Sequence, residues 1–422
     1  MREMKDSGIS YVGIVPSHWT SHPVYTYFGE RKNKNALGKE ENLLSLSYGR
    51  IIRKDINAVG GLLPASYDTY NIVEKGDVII RPTDLQNDKT SLRTGLVTER
   101  GIITSAYIAL KPTKKVVSAY FNYLLHAFDV TKVFYNMGNG VRQGLNYSEF
   151  SKLMVFEPPI EEQQIIADFL GRKCSEIDSL TADIQSQIDT LEQYKRSIIT
   201  EAVTKGLNPD AEMRESGIPW CPSVPAHWIP TNPKALFKLR NQRATAGERQ
   251  LTASQRHGIV YQDEFMEMEN QKVVTVEKDF SILKHVEPND FVISMRSFQG
   301  GLEYSEVSGS ISSAYVMLIP DADKVHPPFY KWFFKSGKYI NALQSTTNLV
   351  RDGQAMRYAN FMQVPLFIIP LDEQAEIADY LYKKCTAIDS IIVEKQLQLE
   401  VVYEYKKSVI YEYVTGKKEV AV

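Results

Sequence analysis

Three features of this sequence of 422 residues predict an α+β protein built twice: two similar mixed α/β lobes joined by two long helices that pair as an antiparallel coiled coil. The first is an internal repeat running the length of the chain. The second is a pair of proline-free segments with heptad spacing, one after each lobe. The third is a division of charge between the lobes and those helices.

The repeat fixes the organisation and is read before any motif. "MKDSGISYVGIVPSHW" (4–19) returns as "MRESGIPWCPSVPAHW" (213–228), with eight of sixteen positions identical. "VEKGDVII" (73–80) answers "VEPNDFVI" (286–293), and "GIITSAYIALKP" (101–112) answers "GSISSAYVMLIP" (309–320). "EEQQIIADFLGRKCSEIDS" (161–179) then answers "DEQAEIADYLYKKCTAIDS" (372–390). Copies of this size are each a domain, so this is a duplication and not a solenoid. The expected boundaries are 1–157 for the first lobe, 158–208 for the first helix, 209–369 for the second lobe and 370–422 for the second helix. Segments 4–19 and 213–228 are expected to dock each lobe to a helix end.

Within a lobe, short apolar runs such as "GDVII" and "ITSAYIAL", bounded by Gly, Pro, Asn and Asp, are strand signals. "SAYFNYLLHAFDV" and "PPFYKWFFKSGKYINAL" place bulky apolar residues at helical spacing and predict buried helices.

The long segments begin after Pro159 and Pro370 with Glu/Asp pairs suited to a helix N-terminus. Ile177, Ile184, Leu191 and Ile198 fall seven apart, with Leu180, Ile188 and Tyr194 between them. The second copy puts Ile388, Lys395, Val402 and Val409 at those places, with Ile391, Leu399 and Tyr405 between. Sustained heptads predict a coiled coil. Each stripe needs a partner, and the natural one is the other copy. Short links at both ends of lobe 2 make the pairing antiparallel, over a rod of about 60–70 Å at ~1.5 Å per residue. Lys395 interrupts the apolar seam and is expected to snorkel.

The formal charge of −2 hides a division. Residues 20–157 carry a net +5 and 229–369 a net +2, whereas 158–208 and 370–422 carry −4 and −3. Basic lobes on an acidic rod suit a nucleic-acid surface on the lobes and a protein surface elsewhere. Similar but unequal lobes then predict a bipartite, asymmetric duplex target. No apolar run approaches the roughly 20 residues of a membrane span. Three cysteines without a CxxC pattern predict neither disulfide nor zinc, and a reducing cytoplasm.

Catalytic motifs are missing. "HPPFY" (326–330) resembles the Asn/Asp-Pro-Pro-Tyr/Phe motif of amino-methyltransferases, but His326 lacks the carbonyl that accepts from the target amine. Pro327 and Pro328 are expected to start a helix. "PDADK" (320–324) crowds onto one turn the acids that metal-dependent hydrolysis needs from separate strands. His18 and His227 are expected to lock the docking segments.

The paired "SGI…VPxHW" segments, the paired "EEQ/DEQxxIADxL…IDS" helices and "YKRSIITEAVTKG" (194–206) resemble the specificity subunits of type I restriction–modification systems. The resemblance spans essentially the whole chain. It implies a non-catalytic DNA-reading subunit with two target recognition domains. It also implies partners: two methyltransferase subunits carrying S-adenosylmethionine, and restriction subunits using ATP and Mg²⁺. No cofactor is then expected on this chain itself.

The repeat sorts candidate DNA contacts, because features shared by both lobes cannot distinguish two half-sites. Arg142 and Arg351 share "VRxG" and are assigned to phosphate or loop shaping. The divergent stretches offer Arg81, Gln86, Asn87, Lys89 and Arg93 in lobe 1, and Arg296 and Gln299 in lobe 2. Early loops add Tyr48, Arg50 and Arg53, and Arg243, Gln255, Arg256 and His257. Arg suits guanine and Asn/Gln suit adenine in the major groove. The competing expectations are a coiled-coil adaptor that binds no DNA, and a nuclease or methyltransferase with a diverged site.

Overall fold

The computed structural model describes residues 2–57, 66–83, 85, 92–135, 137, 144–270, 272–273, 282–346 and 356–420. The chain forms two compact units, one of Met1–Gln185 with Leu397–Val422 and one of Ser186–Gln396. Each unit therefore holds one lobe and half of each long helix, Ile160–Lys205 and Leu371–Val414.

In the first unit a hairpin, Met4–Asp6 against Ile14–Pro16, precedes the strand Thr20–Pro23, which pairs antiparallel with Met154–Glu157. The lobe is centred on a four-stranded antiparallel sheet in the order Phe28–Glu30, Ile108–Pro112, Val78–Ile80, Thr94–Leu96. The helix Ser118–Val130 buries Tyr120, Phe121, Leu124, Leu125 and Phe128 in the core, where they join Val78, Ile80 and Leu110 of that sheet. Two satellite antiparallel pairs, Asn71–Val73 with Gly101–Ile103 and the hairpin Leu44–Ser47 with Arg50–Arg53, complete the lobe.

The second unit repeats the plan. Its four-stranded sheet runs Phe237–Arg240, Val316–Pro320, Phe291–Ile293, Glu303–Tyr304. Pro327 opens the helix Pro327–Phe333 with its missing N–H at a position that needs no partner. The helix Gln262–Glu269, which follows directly on the hairpin Leu251–Ser254/Gly258–Tyr261, has no described counterpart in the first unit.

The docking segments explain their own repetition. Trp19 is buried, and its Nε1 donates to Glu162 in the first turn of the first long helix at 3.1 Å, while His18 Nε2 lies 2.9 Å from the same carboxylate. Trp228 and His227 address Glu373 in the first turn of the second long helix in the same way, at 3.1 and 2.7 Å. Tyr11 OH donates to the Met154 carbonyl at 3.2 Å; at the matching place Trp220 Nε1 donates to the Pro365 carbonyl, also at 3.2 Å. The glutamine of the EEQ/DEQ motif is a tether. Gln163 Oε1 accepts from the Val117 N–H at the start of the lobe helix, and Gln374 Oε1 accepts from the His326 N–H at the matching start. Glycine follows each long helix for a steric reason as well as a conformational one. A Cβ on Gly416 (φ 68°) would come within 2.5 Å of Pro16, and one on Gly206 (φ 73°) within 2.9 Å of the Glu373 carboxylate.

In each unit the two helix halves pack antiparallel. Phe169 meets Tyr413 at 4.4 Å and Asp178 meets Lys406 at 2.6 Å in one; Lys195 meets Asp389 at 2.6 Å in the other. Buried seam residues are Leu170, Cys174, Ile177, Ile184, Ile188 and Ile198, facing Leu381, Cys385, Ile388, Ile392 and Val409 from the second helix in their respective units. Leu191, Val402 and Lys395 are half-buried. The intervening positions need correction. Leu180, Tyr194, Ile391 and Tyr405 are exposed, and the seam instead uses Thr181, Lys195, Ile392 and Lys406. A coiled-coil seam steps by alternating four and three residues, so the position after Ile177 is Thr181 and not its apolar neighbour.

Candidate nucleic-acid interface

In the first unit the hairpin turns through only two residues, since Ser47 pairs with Arg50. Tyr48 (φ 46°) and Gly49 (φ 76°) both take the left-handed conformation, as a type I′ turn requires. Glycine adopts it freely; for Tyr48 it is strained, and that ring is 87% exposed at the tip. In the second unit the matching hairpin closes Ser254 on Gly258 (φ 72°), so its tip has three residues: Gln255, Arg256 and His257.

Both tips converge on the second divergent stretch of their own lobe. A Cβ on Gly49 would touch Leu92 at 3.2 Å, and one on Gly300 would strike the Gln255 side chain at 2.8 Å. Gln255 Nε2 also reaches the Arg296 carbonyl at 3.5 Å. Thus Gln255, Arg256 and His257 are brought beside Arg296 and Gln299, both exposed on the turn of helix Ser297–Gly300. Arg243 stands exposed, donating to the Ile282 carbonyl at 2.9 Å.

The remaining lobe 1 candidates differ in their surroundings. Arg50 pairs with Asp178 of the first long helix, whose carboxylate also receives Lys406 at 2.6 Å. Arg53 meets Glu99 through Nε at 2.6 Å, and this hydrogen bond holds the Glu99 carboxyl below its ordinary range. Arg81 is half-buried, its backbone N–H bonded to the Arg93 carbonyl at 2.8 Å.

Arg93 is not a surface reader. It is fully buried: Nε donates to Tyr135 OH at 2.9 Å, and Nη1 donates to the carbonyls of Thr83 and Arg81. Tyr135 in turn donates to buried Asp129 at 3.2 Å, and Asp129 accepts the Arg93 N–H at 2.6 Å. A charge enters a core only with such a set of partners, and here it anchors the base of the divergent stretch. Gln86, Asn87, Lys89, Arg142 and Arg351 lie outside the described residues.

Three contributors escaped sequence reasoning: Asp178, Lys406 and Glu269. Glu269 receives His257 Nε2 at 2.8 Å and Arg256 Nη1 at 3.4 Å. The one available signal was the acidic run "QDEFMEME" standing in an otherwise basic lobe. A cleft of about 590 Å³ beside the first hairpin is lined by Tyr48, Arg50, His126, Asp178, Lys406 and Lys407, among others. There burial, and then Lys406, lower the His126 pKa to about 4, so it is neutral at pH 7. Among the described residues no group of three or more His, Cys, Asp or Glu is placed to hold a metal, and no helix is long and apolar enough to cross a membrane.

No family model matches the chain. Over 324 residues it is 24% identical to a Methanocaldococcus jannaschii protein provisionally assigned as the specificity subunit of type I restriction enzyme MjaX, covering 74% of this chain and 70% of that one. It superposes on a chain from a solved structure concerned with complex assembly and conformational transition of the type I restriction–modification system. That match has a TM-score of 0.68 and 12% identity, covering 96% of this chain and 99% of the other. The HsdS subunit from Thermoanaerobacter tengcongensis covers 96% of this chain and 98% of its own length, at 12% identity and a TM-score of 0.49. The first of these solved structures establishes a shared fold. The chain is thus similar in sequence to a type I restriction enzyme specificity subunit and has the fold of a chain of the type I restriction–modification system.

Proposed function

We propose that this chain is the non-catalytic specificity subunit of a type I restriction–modification complex. It reads a bipartite, asymmetric duplex sequence, one half-site per lobe, and positions two methyltransferase subunits and the restriction subunits on it. S-adenosylmethionine, ATP and Mg²⁺ belong to those partners in this reading. The observation that carries it is the pair of hairpins: the same scaffold presents a Tyr48-Gly49 tip in one lobe and a Gln255-Arg256-His257 tip in the other. Each tip stands beside its lobe's second divergent stretch, so two polar surfaces of different chemistry sit at equivalent places. Arg, Gln and His are side chains that read base edges, and Tyr stacks or bonds to phosphate.

The test is modification-sensitive sequencing of the host genome with this gene intact and deleted, the partner genes being expressed. Loss of N6-methyladenine at one split, asymmetric motif is expected. An unchanged methylome would overturn the assignment.

A further inference from the structure

Glu269 ends a helix that has no buried residue of its own. Such a short exposed helix does not persist on propensity alone. It is held at both ends by ion pairs. Near its start Arg249 reaches Asp263 at 2.8 Å and Glu264 at 3.1 Å, its guanidinium lying 3.5 Å over the Tyr261 ring. At its end Glu269 takes two side chains of the hairpin tip, His257 at 2.8 Å and Arg256 at 3.4 Å, through one carboxylate oxygen.

We infer that Glu269 is a positioning residue that aims Arg256 and His257 at a guanine in the half-site read by the second lobe. The inference rests on the DNA-reading function proposed above. A free arginine at a hairpin tip has many rotamers and falls onto whichever phosphate is nearest, which adds affinity without sequence information. A guanidinium has five N–H donors in a rigid fork. Nη1 is the nitrogen turned to Glu269, and donors remain for the O6 and N7 acceptors of guanine. The carboxylate thereby orders the fork in advance, and its charge repels the phosphates that would otherwise draw Arg256 away.

The experiment uses the full chain with its methyltransferase partners, on its target duplex and on a scrambled duplex. E269Q keeps the shape and removes the charge. Target affinity is expected to fall about three- to tenfold, as for loss of a supporting ion pair. Scrambled-duplex affinity is expected to hold or rise, and preference at one base pair of the second half-site to relax. R256K should relax the same base pair, and adding E269Q to R256K should cost little more. E267Q removes a neighbouring charge of the same helix and should leave the preference intact. Equal weakening on both duplexes, full additivity with R256K, or unrelaxed base preference would overturn the assignment of Glu269. A wild-type complex with no preference for any duplex would overturn the DNA-reading function itself, and this inference with it.

Discussion

The docking latches and the hairpin tips are both written twice in this chain, and they have fared oppositely. His18 and Trp19 meet Glu162 as His227 and Trp228 meet Glu373. Arg31 holds buried Asp77 as Arg240 holds buried Asp290, at 2.9 and 3.0 Å. Lys406 clasps Asp178 as Lys195 clasps Asp389. Even the change from Tyr11 to Trp220 keeps a donor aimed at a carbonyl. At the tips nothing is kept but the hairpin. Duplication has preserved what closes each unit and varied what each unit presents.

That contrast can be broken by experiment. The largest effect is expected from Trp19→Ala and Trp228→Ala, each destabilising its own unit by about 3–5 kcal/mol in urea unfolding. Closely similar costs are expected because the latches match; a latch that tolerated the loss would end the equivalence. Arg93→Met should cost about 2–3 kcal/mol, since it strips a charged donor from Tyr135 and two carbonyls. The salt dependence of DNA binding should stay unchanged, whereas a phosphate contact would lower its slope.

A third prediction uses a site present in one lobe only. His285, where the first lobe has Ile72, lies between Glu248 at 3.0 Å and Glu287 at 2.7 Å. Burial alone would lower its pKa, but the two carboxylates beside it prevail and raise it. Its contribution is therefore complete below the unfolded value of about 6.5 and is lost as pH rises through the folded value. Between pH 6 and pH 9 the urea midpoint of the second unit should fall, and H285Q should flatten that fall. The smallest effect belongs to the clasps. Asp389→Asn should cost less than ~1 kcal/mol. Asp178→Asn should cost slightly more, because it releases Arg50 as well as Lys406.

Much of this was legible in the sequence because the latch is local and repeated: a Trp, a His and a Glu recur at matching places. The seam was legible only in part. At four places an apolar residue sits directly before the true seam position: Leu180 before Thr181, Tyr194 before Lys195, Ile391 before Ile392 and Tyr405 before Lys406. Hydrophobicity chooses the wrong member of three of these pairs, and in two of them a lysine lays its aliphatic stem in the seam and ends on an aspartate, Lys195 on Asp389 and Lys406 on Asp178. Arg93 was illegible for another reason. Nothing near it in sequence marks it as buried; Asp129 and Tyr135, which make burial tolerable, lie about forty residues on.

The composition of the two units also sets an order of assembly on the ribosome. The second unit is one continuous stretch, Ser186–Gln396, and can close as soon as it has emerged. The first is not: Tyr120 OH donates to the Val414 carbonyl, and Trp19 packs where Gly416 ends the second long helix. At about 5–20 residues per second, the lobe made first waits some tens of seconds for its last helical turns. For that interval the core around Tyr120 and Trp19 lacks its final wall, so the lobe synthesised earlier is the one most exposed to chaperones, proteases and mispairing.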